Sequence, residues 1–346
     1  MNHYTRLQIK GYEDVVRCDN SDVGFTAWIS IHNSNRGPAL GGCRVWNYDN
    51  KDEALIDVLR LSRGMTYKNA LARLPIGGGK SVVHTDITTV NRAAMFAAIG
   101  DFVETFDGLY IIAEDVNSTL EDMEIVKEKT NHVATVGASG NPSPFTAYGV
   151  YCAIKACVKF KLQRDTLDGL TVAVQGVGET GGRLAELLYK DHCNIIATDI
   201  NQENLQRLAG RVDFQRVPPA EIYTTGCDIF SPCALGGILN EQTIPALLCQ
   251  IVAGSANNQL LTDKDGERLH RRGILYAPDY AVNAGGVINI SCELGTQYNR
   301  EKAKKRTSRI ESTLLEIFRT AKQRSRPPHV IADCLAENLF SLRAAA

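Results

Sequence analysis

The chain has 346 residues, which at about 150 residues per domain predicts two domains. Its 38 Lys and Arg residues nearly balance 39 Asp and Glu residues, so the formal charge is −1 and neither nucleic acid nor an anionic membrane is expected as a partner. A hydrophobic fraction of 44% and a charged fraction of 22% are typical of globular proteins and exclude a largely disordered chain.

The first third of the chain alternates strand and helix signals. Residues 27–32 alternate like a half-buried strand, and a helical pattern covers 52–68. A short strand at 81–84, an amphipathic helix over 90–108 and a strand at 109–113 follow. This order predicts an α/β domain.

A stretch rich in Gly, Ser, Asn and Pro at 137–144 predicts an interdomain hinge. Beyond it, a helix at 145–161 precedes short β-branched runs separated mostly by helical stretches, the alternation typical of a doubly wound parallel sheet. These runs lie at 171–175, 195–198, 228–230, 250–253 and 273–276.

We therefore predict an α/β protein of two domains. Residues 1–140, with a C-terminal segment of about 325–346, form the substrate and oligomerisation domain, and 141–324 form a Rossmann-type dinucleotide-binding domain. The basic segment 300–309 is expected to be the solvated start of a helix rather than a nucleic-acid site. The apolar face of that helix would comprise Ile310, Leu314, Leu315 and Phe318.

The ten cysteines and seven histidines show neither C-x-x-C nor H-x-x-H spacing, so no metal site is expected. The N-terminal residues lack the apolar region of a signal peptide, and no run approaches the roughly 18 apolar residues of a membrane span. These observations favour a reducing, cytoplasmic location.

A G-x-G-x-x-G fingerprint directly follows the strand signal at 171–175 and precedes a helical run. Its glycines permit a tight turn and close approach of the backbone to a pyrophosphate. Asp199 ends the next strand, where its carboxylate can accept ribose hydrogen bonds and repel a 2′-phosphate, so NAD is favoured over NADP. The cofactor contacts expected here are Gly176, Val177, Gly178, Gly181, Asp199 and Ile200.

The first domain carries two lysines and an aspartate with catalytic potential. Lys68 lies near a helix end, and Lys80 follows the glycines 77–79, which are expected to let the backbone pass close to a ligand. If the two ammonium groups converge, their repulsion favours a neutral amine that can act as a base. Asp115 follows a strand and could carry a proton, although two solvated lysines and a capping aspartate remain the alternative.

Several long segments in order resemble the leucine/phenylalanine/valine dehydrogenase branch of the amino acid dehydrogenases, relatives of glutamate dehydrogenase. The resemblance extends from about residue 20 to about 320. Its segments are 37–44 (GPALGGCR), 64–70 (GMTYKNA), 77–80 (GGGK), 113–116 (AEDV), 233–237 (CALGG), 254–259 (GSANNQ) and 283–286 (NAGG).

The resemblance implies an NAD-dependent oxidative deaminase that acts on an L-amino acid, and it assigns a distinct role to each of several motif residues.

 By that similarity, Lys68 binds the substrate carboxylate, Lys80 is the general base acting through a water, and Asp115 relays protons to the amine. Asn258 would hold substrate and nicotinamide, and Asn283 would lie at the floor of the cleft. A non-catalytic NAD-binding protein is the alternative from a different class. Further contacts implied by the resemblance are Gly41 for the substrate and Cys233 and Ala234 for the cofactor.

The resemblance also implies an apolar side-chain pocket formed by Leu40, Ala113, Val287 and Ile290. Such a pocket disfavours glutamate, whose charge would be buried without a partner. Branched aliphatic amino acids, with their 2-oxo acids and ammonia, are the expected substrates, and phenylalanine or tryptophan is the alternative. A homo-oligomer is expected.

Overall fold

The computed structural model describes residues 1–134, 137, 139–294 and 297–341. The chain divides into two compact units, of which the first combines Met1–Ala138 with Ala336–Ala346 and the second is Ser139–Leu335. The chain passes from the first unit to the second close to the boundary expected at 140. It returns to the first unit at 336, whereas the sequence predicted about 325. The start of the last helix belongs to the second unit, where the Tyr280 hydroxyl donates to Asp333.

The first unit is built on a mixed sheet in the order β1-β2-β3-β5-β4-β6. The neighbours from β1 to β5 are antiparallel, whereas β4 runs parallel to both β5 and β6. The strands are β1 (His3–Arg6), β2 (Asp14–Asn20), β3 (Phe25–Asn33), β4 (Ala39–Trp46), β5 (Gly77–His84) and β6 (Tyr110–Glu114). The helices are α1 (Lys51–Leu71), α2 (Arg92–Glu104) and α3 (Leu120–Lys127).

The two faces of this sheet have different cores. One face packs Ile29 and Val83 against α2 and α3. The opposite face packs Trp28 and Val82 against Val58 of α1. Because side chains alternate along a strand, Lys80 shares the α1 face with Val82, two positions further along β5.

Glycines 77–79 are regular strand residues at the start of β5. All three are buried. A Cβ on Gly78 would lie 2.0 Å from the backbone nitrogen of Thr66 in α1. The close approach that Gly78 permits is therefore that of a helix to the sheet, and the expectation that these glycines let the backbone pass close to a ligand stays a prediction.

The second unit is a parallel sheet in the order β12-β11-β10-β7-β8-β9, with every neighbouring pair parallel. Read from β9, this is the 3-2-1-4-5-6 order of the dinucleotide-binding fold, and it confirms the predicted doubly wound sheet. The strand order reverses between β7 and β10, where such folds place their ligands. The strands are β7 (Thr171–Gln175), β8 (Asn194–Thr198), β9 (Phe214–Arg216), β10 (Ile229–Pro232), β11 (Ile251–Val252) and β12 (Leu275–Tyr276).

Helices cover the sheet of the second unit and complete the chain. The basic segment expected to open a single helix instead forms α10, and α11 follows after Ser308, with Ile310, Leu314 and Phe318 buried. No helix among the described residues is both long and apolar enough to cross a membrane. The helices are α4 (Ser143–Lys161), α5 (Glu179–Lys190), α6 (Gln202–Ala209), α7 (Asp263–Arg271), α8 (Asp279–Val282), α9 (Gly285–Ser291), α10 (Arg300–Thr307), α11 (Arg309–Arg324) and α12 (Pro328–Ser341).

Candidate active site

Lys80 and Asp115 form an ion pair in the first unit. The Lys80 Nζ lies 2.8 Å from the Asp115 Oδ2. The lysine side chain is only 6% exposed, whereas that of the aspartate is 27% exposed. Lys80 lies within β5 and Asp115 directly follows β6, and both strands run parallel to β4 between them. The sheet therefore brings together two residues to which the sequence assigned catalytic roles.

Arg44 is a third charged group at this pair, and the sequence analysis gave it no role. Its Nε lies 3.3 Å from the Asp115 Oδ2, and its Nη1 lies 3.0 Å from the Asp57 Oδ2. The Tyr48 hydroxyl donates a hydrogen bond of 2.6 Å to the same Asp57 oxygen. Arg44 is thus oriented from one side by Asp57 while it contacts Asp115 on the other.

Two cations control the ionisation of Asp115. Burial alone would raise the pKa of its carboxyl group, but the charges of Lys80 and Arg44 outweigh burial and lower the pKa to about 2. Asp115 is therefore a carboxylate at neutral pH. The sequence suggested that repulsion from a second lysine would favour a neutral amine at Lys80. The structure places an anion 2.8 Å from the Lys80 Nζ.

The backbone around Asp115 is fixed by neighbours that the sequence analysis also did not single out. The Asp115 amide donates to the Ser118 Oγ at 2.8 Å, and that hydroxyl donates to the Cys43 carbonyl at 2.7 Å. A Cβ on Gly42 would lie 2.7 Å from the Asp115 Cβ. A side chain at Gly42 would therefore displace the carboxylate, and the short segment after β6 is anchored to β4.

The other predicted substrate residues of the first unit lie around the same face. Leu40 and Ala113 are buried, and the β4–β6 register pairs Leu40 with Ile111 and places Ala113 beside Gly42. Gly41 accepts a 2.8 Å hydrogen bond from the Tyr110 hydroxyl through its carbonyl oxygen. Lys68 is half-buried in the last turn of α1, the helix that covers this face.

The glycine fingerprint forms the turn between β7 and α5. Gly176 has φ +88°, and a Cβ there would lie 2.7 Å from the Ala234 Cβ. A Cβ on Gly181 would lie 1.9 Å from the Gly176 carbonyl oxygen, so this glycine lets α5 pack against the turn. At Gly178, the N-cap of α5, the nearest atom to such a Cβ is 3.9 Å away. Open space thus lies at a helix N-terminus, as binding of a pyrophosphate requires.

Asp199 is held at the end of β8 by three hydrogen bonds. Its carboxylate accepts from the amides of Val177 and Asn201, both at 2.8 Å, and from the Asn204 side chain at 3.1 Å. A carboxylate has about four lone-pair sites, so one site stays available for a ribose hydroxyl. Ile200, the next residue, is 87% exposed and offers an apolar surface at the same edge of the sheet.

The remaining predicted cofactor residues follow the strands on the other side of β7. Cys233 follows β10 and donates its amide to the Gln175 carbonyl at 2.7 Å, and Ala234 next to it is exposed. Asn258 is exposed, with φ +51° and its amide bonded to Asp279 at 2.8 Å. The side chain of Asn283 donates to the Ser255 carbonyl at 3.1 Å, while its buried Oδ1 has no partner among the described residues.

These features fit a dinucleotide, because they combine the glycine turn, the fixed carboxylate and an unused amide oxygen at one edge of one sheet.

Val287 and Ile290 lie three positions apart in α9, where Val287 is buried and Ile290 is partly exposed. The predicted residues thus fall into two groups, one in each unit. The described part of the chain contains no cluster of three His, Cys, Asp or Glu residues suited to a metal ion.

Two family descriptions match most of the chain. Residues 11–132 match the "Glu/Leu/Phe/Val dehydrogenase, dimerisation domain", and residues 191–336 match "Glutamate/Leucine/Phenylalanine/Valine dehydrogenase". A leucine dehydrogenase of Thermoactinomyces intermedius is 48% identical, covering 99% of this chain and 94% of that protein. An L-tryptophan dehydrogenase of Nostoc punctiforme is 44% identical, covering 96% of this chain and 94% of that protein.

The crystal structure of L-tryptophan dehydrogenase from Nostoc punctiforme superposes with a TM-score of 0.83 at 40% identity, covering 96% of each chain. A glutamate dehydrogenase from Thermus thermophilus, 19% identical, shares the fold with a TM-score of 0.76, over 100% of this chain and 90% of that one. The chain belongs to the Glu/Leu/Phe/Val dehydrogenase family, the amino acid dehydrogenases. This membership confirms the resemblance seen in the sequence, and it implies a nicotinamide cofactor.

Proposed function

We propose that the protein catalyses the reversible, NAD-dependent oxidative deamination of branched-chain L-amino acids to 2-oxo acids and ammonia. The observation that carries this proposal is the buried Lys80–Asp115 ion pair, which lies on the sheet face that also holds Leu40 and Ala113. An amine, a carboxylate and apolar side chains on one face suit an amino acid with an aliphatic side chain. Leucine dehydrogenases at 44–48% identity support the branched-chain preference over the aromatic alternative.

Lys80 is the proposed general base. NAD, when bound, supplies the chemistry of hydride removal from the substrate Cα. Lys80 Nζ then takes a proton from the water that attacks the resulting imine carbon. Lys80 is paired with a carboxylate and can act as a base only in its neutral form, so its own proton must first pass to bulk water.

Asp115 is the proposed positioning group and proton relay. Its pKa of about 2 makes it a weak proton acceptor while Lys80 and Arg44 are both charged. Once Lys80 has lost its proton, one of these charges is gone and the basicity of Asp115 increases. Asp115 can then move a proton to the departing amine as ammonia leaves the carbinolamine carbon.

Lys68 is the proposed partner of the substrate carboxylate. It lies in the last turn of α1, two residues after Thr66, which packs against Gly78 of β5. An ammonium group that binds a carboxylate by charge-assisted hydrogen bonds orients the Cα. Leu40 and Ala113, with Val287 and Ile290 of the second unit, are the proposed contacts of the substrate side chain.

NAD is the proposed cofactor because Asp199 brings a negative charge to the ribose position. Two backbone amides and one side-chain amide fix this carboxylate, which leaves it little freedom to turn away from a 2′-phosphate. Gly176, Gly178 and Gly181 would receive the pyrophosphate at the start of α5. Cys233, Ala234, Asn258 and Asn283 would contact the nicotinamide half.

A homo-oligomer in the cytoplasm completes the proposal. The first unit matches a family description that names dimerisation. Among the described residues its edge strand β1 pairs with β2 alone, and all four residues of β1 are exposed, so one edge of the sheet is available to a second copy. Light scattering on the purified protein gives the number of subunits. The ten free thiols suit a reducing compartment, which cell fractionation tests.

A substrate panel tests the proposed function. The panel comprises 4-methyl-2-oxopentanoate, 3-methyl-2-oxobutanoate, phenylpyruvate, indolepyruvate and 2-oxoglutarate, each assayed with NADH and ammonium. We expect the highest kcat/KM for the first two compounds and very low activity with 2-oxoglutarate. A higher kcat/KM for an aromatic compound would overturn the branched-chain preference alone, whereas NADH binding without turnover of any compound would favour the non-catalytic alternative.

A further inference from the structure

Two cysteines outside the proposed active site lie opposite each other at the amino ends of β10 and β11. The parallel register pairs Ile229 with Ile251. Counting back two positions along each strand pairs Cys227 with Cys249. The ladder continues towards them, because the Gln250 amide donates to the Asp228 carbonyl at 3.0 Å. The carboxyl ends of the strands, where the cofactor residues lie, are at the opposite edge of the sheet.

This arrangement suits a covalent bond between the two sulfur atoms. Adjacent strands are about 4.8 Å apart, which lies within the range of about 4.4–6.8 Å between Cα atoms that a disulfide spans. Cys249 belongs to the hydrophobic core of the second unit, and the partly exposed Cys227 packs against the same cluster. Neither backbone segment needs to move far for the sulfur atoms to bond.

The two thiols differ in their chemistry. A hydrogen bond with Cys249 and burial both raise the pKa of Cys227. The same hydrogen bond lowers the pKa of Cys249, against the effect of burial, and the Phe230 amide and the charge of Arg272 lower it further. The Arg272 guanidinium is fixed by the Leu247 carbonyl at 3.0 Å. The positive charge of Arg272 therefore favours the thiolate at Cys249.

We propose that Cys227 and Cys249 form a reversible intramolecular disulfide when the protein is oxidised by a peroxide. The Cys249 thiolate attacks one peroxide oxygen, the O–O bond breaks, and the hydroxide that leaves takes a proton to become water. The Cys227 sulfur then attacks the resulting sulfenic acid, the S–O bond breaks, and a second water leaves with the Cys227 proton. Two thiols lose two electrons in total, and hydrogen peroxide is reduced to two waters.

Three other buried cysteines are expected to react more slowly with a peroxide. Burial raises the pKa values of Cys18, Cys43 and Cys193 to about 12, so these thiols are protonated and react slowly. Cys193 is a suitable matched control, because it is a buried cysteine of the same unit. The pair at β10 and β11 is therefore expected to be oxidised before these three thiols.

The experiment is a peptide map of the full-length protein after brief treatment with hydrogen peroxide, removal of the peroxide by catalase and alkylation in denaturant. Cleavage before Asp228 and after Glu241 separates Cys227, Cys233 and Cys249 onto three peptides. We expect a linked Cys227–Cys249 peptide in the parent protein and in Cys193→Ser, and its loss on treatment with dithiothreitol. Cys227→Ser and Cys249→Ser should give no linked peptide.

The parent protein alone decides the outcome, so the proposal stays testable if a variant folds poorly. Cys227 and Cys249 recovered as separately alkylated peptides after peroxide treatment would overturn it. A link from either residue to Cys233, or irreversible oxidation of Cys249 with Cys227 intact, would overturn it equally. The test does not depend on turnover, so its result is independent of the proposed dehydrogenase function.

Discussion

The Lys80 ammonium and the Asp115 carboxylate lie 2.8 Å apart, with the cation almost fully buried and the anion partly exposed. A buried charge without a partner is strongly unfavourable, so each residue of this pair depends on the other. Arg44 contacts the same carboxylate oxygen and is also paired with Asp57, so the cluster joins two cations to two carboxylates.

Substitution of Lys80 tests the proposed general base. Lys80→Ala should lower kcat by roughly 10²–10⁴-fold, because proton transfer to and from the attacking water is lost. The Kd for NADH, measured by fluorescence, should stay within a few-fold of the parent value, because the cofactor residues belong to the second unit. Lys51→Ala removes a surface lysine that pairs with Asp19 at 3.0 Å and serves as the control. A kcat of Lys80→Ala within tenfold of the parent would rule out the role.

Substitution of Arg44 tests whether the orientation of Asp115 matters. Arg44→Ala should lower kcat by roughly 10–100-fold with little change in NADH affinity, because Asp115 loses a contact that fixes its carboxylate. Arg44→Lys should restore part of the loss, since it retains the charge but not the planar group. Arg6→Ala breaks a surface pair with Asp14 and should leave kcat unchanged. Equal kcat values for Arg44→Ala and the parent would contradict this expectation.

The low pKa of Asp115 predicts a pH-dependent contribution to stability. Its folded value of about 2 lies below the ordinary value of 3.8, so the contribution is fully present above about pH 4 and is lost as the pH falls towards 2. The difference in pKa corresponds to about 2 kcal/mol. Asp115→Asn should therefore be less stable than the parent at neutral pH, with a difference that shrinks between pH 4 and pH 2.

Urea unfolding of parent and variant at several pH values measures this difference. Asp213→Asn, at an exposed carboxylate of the second unit, should show no such change across the same range. A constant difference between parent and Asp115→Asn from pH 2 to pH 7 would show that the two cations do not hold the carboxylate in its ionised form.

Substitution of Asp199 tests cofactor choice. The parent should prefer NAD strongly over NADP in kcat/KM, and Asp199→Ala should narrow that ratio by removing both the repulsion and the ribose acceptor. Asp199→Asn keeps an acceptor but loses the charge, so it separates the two effects and should narrow the ratio by a smaller amount. A parent enzyme that uses both cofactors equally well would show that this carboxylate does not face the ribose.

Substitution of Ala113 tests the proposed side-chain pocket. Ala113→Gly should shift kcat/KM from 4-methyl-2-oxopentanoate towards phenylpyruvate, because it removes a methyl group from the face shared with Leu40. Ala39→Gly makes the same change in β4 within the core of the opposite face, and it should alter stability but not preference. The same substrate ratio in Ala113→Gly and Ala39→Gly would remove Ala113 from the pocket.

The second unit could be predicted largely from local sequence. The strand before Gly176, the glycine turn and the helix after it are contiguous in the chain, and each element carries its own signal. There were two exceptions: the short strand β9 was not predicted, and the helix expected to begin in the basic segment is interrupted at Ser308. A break of one residue between α10 and α11 leaves the apolar spacing of α11 intact, so the sequence pattern gives no sign of it.

The site of the first unit depends on pairing between distant segments, which local patterns do not encode. β4 contains Gly41 and Gly42, and glycine weakens a strand signal, so no strand was predicted there. The contact between Arg44 and Asp115 exists only because β4 lies between β5 and β6. The proposed catalytic residues were identified from motifs, but the third charge of the cluster required the register of the sheet.

The first unit is completed by the last residues of the chain. The Tyr67 hydroxyl donates to Glu337 at 2.8 Å, the Phe340 ring lies 5.3 Å from the Tyr67 ring, and Arg36 donates to the Leu339 carbonyl at 3.1 Å. During synthesis, residues up to 134 leave the ribosome long before these partners exist. At about 5–20 residues per second, making the roughly 200 residues of the second unit takes on the order of 10–40 seconds. For that time the nascent first unit exposes the surface that α12 later covers, so it reaches its final set of contacts only after the second unit has been made.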